Sequence, residues 1–181
     1  MSKAVMLSIR PKWCEKIVNG EKTIEVRKTR PKMNTPFKCY IYCTLPKYPH
    51  EDFIATDYPM PPFYGGGKVV GEFTCERIVP ITYDGSRLWC PTNAAFSPAT
   101  CLSQAEIIAY IGDKGRCYGW HISDLRIYDT PRELSEFRRA TDPCDSCHAE
   151  YTWKCTDCKK FSGDIERPPQ SWCYVEAMKD E

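Results

Sequence analysis

The sequence lacks long hydrophobic runs, which limits where the protein is expected to work. No stretch approaches the roughly 18 consecutive apolar residues of a membrane-spanning helix. The opening residues, MSKAVMLSIRPKW, lack the apolar core and the small-residue cleavage site of a secretory signal peptide. Internal repeats and low-complexity tracts are also missing. These absences predict a soluble, cytoplasmic protein with no membrane partner.

A strong overall charge is missing as well, because the 181 residues carry a formal net charge of +1. Hydrophobic residues make up 42% and aromatic residues 13% of the chain, which is enough for a core and excludes wholesale disorder. The length fits one domain over residues 1–181 with a small insertion. The oligomeric state stays open.

The near-neutral total hides a basic N-terminal region. Residues 1–40 contain ten Lys/Arg and three acidic residues, a local charge of +7. This asymmetry favours a local anionic partner, although runs of charge are often solvated surface.

The stretch GEKTIEVRKTRPK concentrates this charge on a short predicted strand. Because side chains alternate along a strand, Thr23, Glu25 and Arg27 should share the face opposite the apolar residues. One glutamate among cations fits either a pocket for an anionic ligand or an ion-pair network that pins helix to strand.

Cysteine is abundant, with twelve residues, and eight of them are scattered along the chain. Without an export signal these eight are predicted to be reduced, buried core residues rather than disulfides. No Cys/His arrangement marks one of them as a nucleophile. The eight are Cys14, Cys39, Cys43, Cys75, Cys90, Cys101, Cys117 and Cys173.

The other four cysteines form a metal-binding pattern. The segment CDSCHAEYTWKCTDC places two C-x2-C turns seven residues apart, and two such turns supply four thiolates to one tetrahedral Zn²⁺. A four-sulfur shell makes the zinc structural; His148 is an alternative ligand, and free or redox-active thiols are the alternative interpretation. We predict a zinc-knuckle insertion over residues 142–162. Its ligands are Cys144, Cys147, Cys155 and Cys158.

The hydrophobic and turn-forming residues in the rest of the chain predict an α+β fold, a small, partly closed β-barrel of short strands with one or two flanking helices. Pro11 begins a helix that ends at Gly20, and Ser103 caps a second helix. The proline-rich stretch 47–67 is predicted to be a long flexible loop, and Gly71 to mark a β-bulge.

The pattern G-x-K-x-x-E-x-R, here Gly20, Lys22, Glu25 and Arg27, directly follows the first predicted helix. It resembles the signature of the ASCH domain, a family of the PUA-like β-barrel superfamily. LSIRPKW before it and RPPQSWCYVE near the end of the chain are similar to the ends of phage- and prophage-type ASCH proteins. The resemblance covers most of Lys3 to Glu176, apart from the proline-rich loop and the zinc-knuckle insertion.

The resemblance implies a cleft beside the first helix that binds single-stranded RNA or a modified nucleoside or nucleotide. A hydrolase is the alternative, because some ASCH proteins are similar to N4-acetylcytidine amidohydrolases and others are reported as ribonucleases. In that alternative Lys22 and Glu25 are the catalytic acid–base residues. The amidohydrolase nucleophile is a threonine where this chain has Glu25, and Thr23 stands two residues earlier.

Residue chemistry assigns roles within such a basic, aromatic-lined cleft. Arginines bind phosphate in bidentate fashion, glutamine reads a base edge, and tryptophan rings stack on bases, with core packing as the alternative for the tryptophans. The candidate ligand-binding residues are Arg10, Lys22, Glu25, Arg27, Trp120, Gln170 and Trp172.

The zinc assignment predicts about one zinc ion per purified chain, measured by inductively coupled plasma mass spectrometry. The double substitution Cys144→Ser/Cys147→Ser should abolish bound zinc because it removes two of the four thiolates. Cys101→Ser, which removes a cysteine outside the pattern, should leave the zinc content unchanged. Equal zinc in all three proteins would contradict the assignment.

Overall fold

The structure is a computed structural model that describes residues 2–45, 53–54, 63–92, 98–140 and 163–178. Within these residues the chain forms nine strands and two α-helices, the α+β composition that the sequence predicts. The strands are β1 Lys3–Ile9, β2 Ile24–Arg27, β3 Phe37–Cys43, β4 Phe53–Ile54, β5 Phe63–Tyr64, β6 Lys68–Tyr83, β7 Leu88–Trp89, β8 Arg116–Arg132 and β9 Trp172–Glu176. The helices are α1 Pro11–Val18 and α2 Gln104–Ile111.

Seven strands form one mixed sheet in the order β2-β8-β6-β3-β1-β9, with β7 paired to β6. β1 and β3 run parallel, because the chain passes through α1 and β2 before it returns beside β1, whereas the other pairs are antiparallel. β2 therefore lies at the edge opposite β1 and β9. The sheet curls enough for Arg27 on β2 to reach Ser8 on β1, 2.7 Å from donor nitrogen to carbonyl oxygen.

Helix α1 packs on the core through one face. Pro11 occupies the first turn, and Cys14 and Ile17, three residues apart, are buried. Gly20 follows with a φ of +73°, the left-handed conformation that glycine adopts without strain and that often ends a helix. The backbone N–H of Lys22 then donates to the Lys16 carbonyl, so the chain turns directly from the helix towards β2.

The core cysteines confirm the sequence-based interpretation for six of the eight scattered residues, which are buried. Cys101 and Cys173 are half-buried. Burial raises the pKa of the Cys14 thiol well above its ordinary value, and a hydrogen bond with Cys43 raises it further. A thiol held protonated in the core is not a nucleophile.

The described part of the proline-rich stretch corrects one expectation. β4 and β5 pair antiparallel, so the stretch predicted to be a flexible loop contains a short two-stranded ladder. Residues 47–52 and 55–62 of that stretch and the predicted zinc-knuckle insertion, with all four cysteine ligands, lie outside the described residues. Within the described residues no group of three or more His, Cys, Asp and Glu is arranged to hold a metal. Neither described helix is long and apolar enough to cross a membrane.

Gly71 lies where the β6–β8 register shifts, as the predicted bulge requires. A Cβ at this position would lie 2.5 Å from the carbonyl oxygen of Arg126 on β8, too close for any real contact. The close approach of these two backbones therefore depends on glycine.

Gly71→Ala should lower the free energy of unfolding by about 1–3 kcal/mol, because the added methyl group forces the backbones apart. Gly163→Ala is the control, since a Cβ there has nothing within 4 Å. Urea denaturation followed by circular dichroism measures both. Equal midpoints for the two variants would show that the sheet accommodates the methyl group.

Candidate ligand site at the open edge of the sheet

Strand β2 is buried on both faces, which explains its mixed composition. Ile24 and Val26 pack in one hydrophobic cluster with Ile107 and Ile111 of α2. The alternate side chains point the other way, and Glu25 lies opposite Trp120 of β8 in the ladder. The alternation that the sequence predicts therefore places charged groups inside the molecule.

Lys22, Glu25 and Arg27 converge there, but as a buried network, whereas the sequence predicts them in an accessible cleft. Lys22 Nζ lies 3.4 Å from Glu25 Oε2, and Arg27 Nε lies 3.1 Å from Glu25 Oε1. Their side chains are only 2%, 8% and 9% exposed. Lys22 Nζ also donates to the carbonyl oxygen of Thr100 at 2.6 Å and lies 5.1 Å from the centre of the Trp13 ring. One carboxylate thus bridges two buried cations.

Arg27 connects this network to the opposite side of the sheet. One terminal nitrogen donates to the Ser8 carbonyl oxygen of β1, and the other lies 3.5 Å from the Ser171 hydroxyl, just before β9. We call this region the seam, defined by Ser8, Lys22, Glu25, Arg27 and Ser171. In it, side chains join strands that are not neighbours in the sheet.

Two tryptophans flank the seam in different environments. Trp120 is fully buried and packs edge-on against Phe37, 5.9 Å between ring centres. Trp172 is half-buried, and its ring centre lies 6.1 Å from that of Trp120. Its Nε1–H donates to the Thr29 hydroxyl at 2.9 Å. Trp120 therefore offers no ring face to a ligand in this conformation, whereas Trp172 has exposed surface.

The hydrogen bonds at the seam are unevenly satisfied. Arg27 Nε forms the ion pair with Glu25, whereas Trp120 Nε1 is buried without a hydrogen-bond acceptor. The Ser171 hydroxyl stands at the long limit of hydrogen bonding to Arg27. The Arg27–Ser171 contact is therefore weaker than the contacts of Arg27 with Glu25 and Ser8.

The remaining predicted residues lie at the surface. Arg10 and Gln170 are exposed; Arg10 immediately precedes α1, and Gln170 precedes Ser171. Thr23 is also exposed and lies outside the strand bounds, so it does not join the buried network with Glu25.

Comparison with known proteins identifies the fold. Residues 7–42 match the family model of the ASCH domain. That segment runs from β1 to β3 and contains all three charged residues of the seam. The chain has the ASCH fold. No curated protein matches the chain.

Three similar solved structures are of an ASCH protein from Zymomonas mobilis and two of its variants. The sequence in the first crystal structure is 19% identical to this chain, with a TM-score of 0.50 over 72% of this chain and 73% of its own. A tyrosine-to-phenylalanine variant of it is 20% identical, with a TM-score of 0.50 over 74% and 77%. A serine-to-alanine variant is 20% identical, with a TM-score of 0.51 over 78% and 84%.

Sequence reasoning missed four residues that contact the charged side chains of the seam: Ser8, Trp13, Thr100 and Ser171. Ser8 and Thr100 act through backbone carbonyls, which no sequence pattern marks. Trp13 belongs to the segment LSIRPKW and Ser171 to the segment RPPQSWCYVE, both of which carry the family resemblance. Membership of these segments was the signal that could have marked the two residues as part of the site.

Glu25→Gln should lower the free energy of unfolding by about 3–5 kcal/mol, because it leaves two buried cations without a carboxylate. Glu21→Gln is the matched control: its carboxylate pairs with Lys16 at 2.7 Å but is half exposed, so solvent screens the loss. Urea denaturation at neutral pH compares the two. A Glu25 variant as stable as the Glu21 variant would contradict the network described here.

Proposed function

We propose that this chain is a single-stranded RNA-binding module of the ASCH type, whose seam takes up one nucleotide. The observation that carries the proposal is the half-buried Trp172 ring beside the seam, next to Ser171, whose hydroxyl is only weakly bonded to Arg27. A serine hydroxyl can donate to a base carbonyl or a phosphate oxygen. The ring and the hydroxyl together would give a base a stacking surface and a hydrogen-bond donor.

The buried charges support a role in recognition. Removing two cations and a carboxylate from water is expensive, and apolar residues of similar volume often stabilise a core as well or better. Such an ion network is therefore a poor device for stability alone. Glu25, held between Lys22 and Arg27, orients the guanidinium towards Ser171.

The flat ring needed for a base is Trp172. It is half-buried beside the seam, its indole N–H is fixed by Thr29, and Trp120 packs behind it. A ring held in this way loses little entropy on stacking. Stacking of a base on an aromatic side chain contributes about 1–3 kcal/mol and tolerates every base, which suits single-stranded RNA.

The exposed residues near the seam complete the proposed site. Arg10 supplies charge for a phosphate, and Gln170, adjacent to Ser171, has both a donor and an acceptor for a base edge. We further propose that the cysteine-rich insertion holds a structural Zn²⁺ through Cys144, Cys147, Cys155 and Cys158.

Trp172→Leu should weaken binding of a fluorescein-labelled 12-nucleotide single-stranded RNA roughly 5- to 150-fold, because leucine fills the space but cannot stack. Trp172→Phe, which keeps an aromatic face, should retain most of the affinity. Trp89→Leu is the control, since Trp89 is 51% exposed on β7, away from the seam. Fluorescence anisotropy measures the dissociation constants, and circular dichroism checks that each variant is folded.

Equal affinities for the Trp172→Leu and Trp89→Leu variants would contradict the proposed base site. The same samples test the hydrolase alternative, in which Lys22 and Glu25 act as acid and base. We expect intact RNA on a denaturing gel and unchanged N4-acetylcytidine by chromatography at every protein concentration. Product that disappears in Lys22→Gln would replace the binding proposal with catalysis.

A further inference from the structure

A second feature lies beside the seam: a groove of about 430 Å³ on the surface of the sheet. We call it the basic groove. Two segments form it, the residues that follow β2 and the first residues of β8 with the turn before them. Its lining residues are Lys28, Thr29, Arg30, Lys114, Arg116 and Tyr118.

The charge of the basic groove is not neutralised by the rest of the described chain. Its four cations are exposed, and no carboxylate of the described residues forms an ion pair with any of them. Other surface cations do have such partners, as in the pairs Lys68–Glu133 and Arg138–Asp164. A concentration of uncompensated positive charge attracts a polyanion and raises its local concentration.

Aromatic rings hold two of these cations in place without neutralising them. Lys28 Nζ lies 5.2 Å from the centre of the Tyr110 ring, and the Arg30 guanidinium lies 5.8 Å from the centre of the Tyr118 ring. Cation–π contacts of this kind restrict the side chains yet leave their N–H donors free for an anion.

The basic groove continues directly from the seam. Arg27 pairs with Tyr118 across the β2–β8 ladder, and the next residue, Lys28, lines the groove. Thr29, also in the lining, accepts the hydrogen bond from Trp172. An RNA strand with one base stacked on Trp172 would therefore have a cationic surface beside its neighbouring phosphates.

We propose that the basic groove binds the phosphodiester backbone of the nucleotides next to the one held at the seam. The proposal rests on the proposed RNA-binding function and assigns the groove the length-dependent, salt-dependent part of the affinity. Each lysine or arginine that contacts a phosphate of single-stranded nucleic acid contributes about 0.7 to the slope of log affinity against log salt.

The test is the double substitution Lys114→Gln/Arg116→Gln, which removes two groove cations and leaves the seam untouched. Binding of the 12-nucleotide RNA, measured by anisotropy from 50 to 300 mM KCl, should weaken about tenfold at the lowest salt, and the salt slope should fall by about 1.4. The matched control is Arg77→Gln/Arg126→Gln, which removes the same charge from exposed arginines outside the groove. The control should keep the wild-type slope.

The outcomes separate the two proposals. If the groove and control variants bind alike while Trp172→Leu is weak, the groove inference is overturned and the seam function stands. If only the groove variant is weak and Trp172→Leu binds like wild type, the seam function fails and the groove stands. No RNA binding by the wild type overturns both. If a labelled 12-residue polyglutamate binds as tightly as the RNA and depends equally on the groove cations, the groove is a site for acidic peptides and the inference is overturned.

Discussion

The guanidinium of Arg27 holds together two parts of the sheet that no backbone ladder joins. β2 lies at one edge and β1 and β9 lie at the other, and Arg27 contacts Glu25 on its own strand, the Ser8 carbonyl of β1 and the Ser171 hydroxyl before β9. An arginine suits this position because its planar, always-charged fork donates in several fixed directions at once. The seam depends on these contacts.

The same network links the proposed recognition to the stability of the core. Glu25 is fully used by two cations, so the carboxylate organises the buried network, while Trp172 beside it keeps exposed surface. The basic groove differs physically: its cations are exposed and screened by salt, so they favour long-range attraction over precise positioning. In the proposed function, a buried network beside an exposed, charged groove suits the binding of a flexible polyanion.

Local sequence rules predicted the elements that build the seam. Alternation placed Glu25 and Arg27 on one face of β2, proline and glycine marked the ends of α1, and Ser103 with Glu106 forms the expected capping box of α2. Each rule depends on neighbours within a few residues, which is why it holds from sequence alone. The β4–β5 ladder was not predicted, because its two-residue strands are too short to show any period.

By itself the sequence determined which residues are charged, which face of β2 carries them, and that a basic N-terminal region precedes an acidic remainder. Only the tertiary structure decided that Trp120 is buried while Trp172 is half-buried, and that Ser8 and Thr100 supply the carbonyl acceptors. The physical reason is the separation along the chain over which each interaction acts. Alternation and capping act between near neighbours, whereas the Arg27–Ser171 contact joins positions 144 residues apart and forms only when the sheet curls.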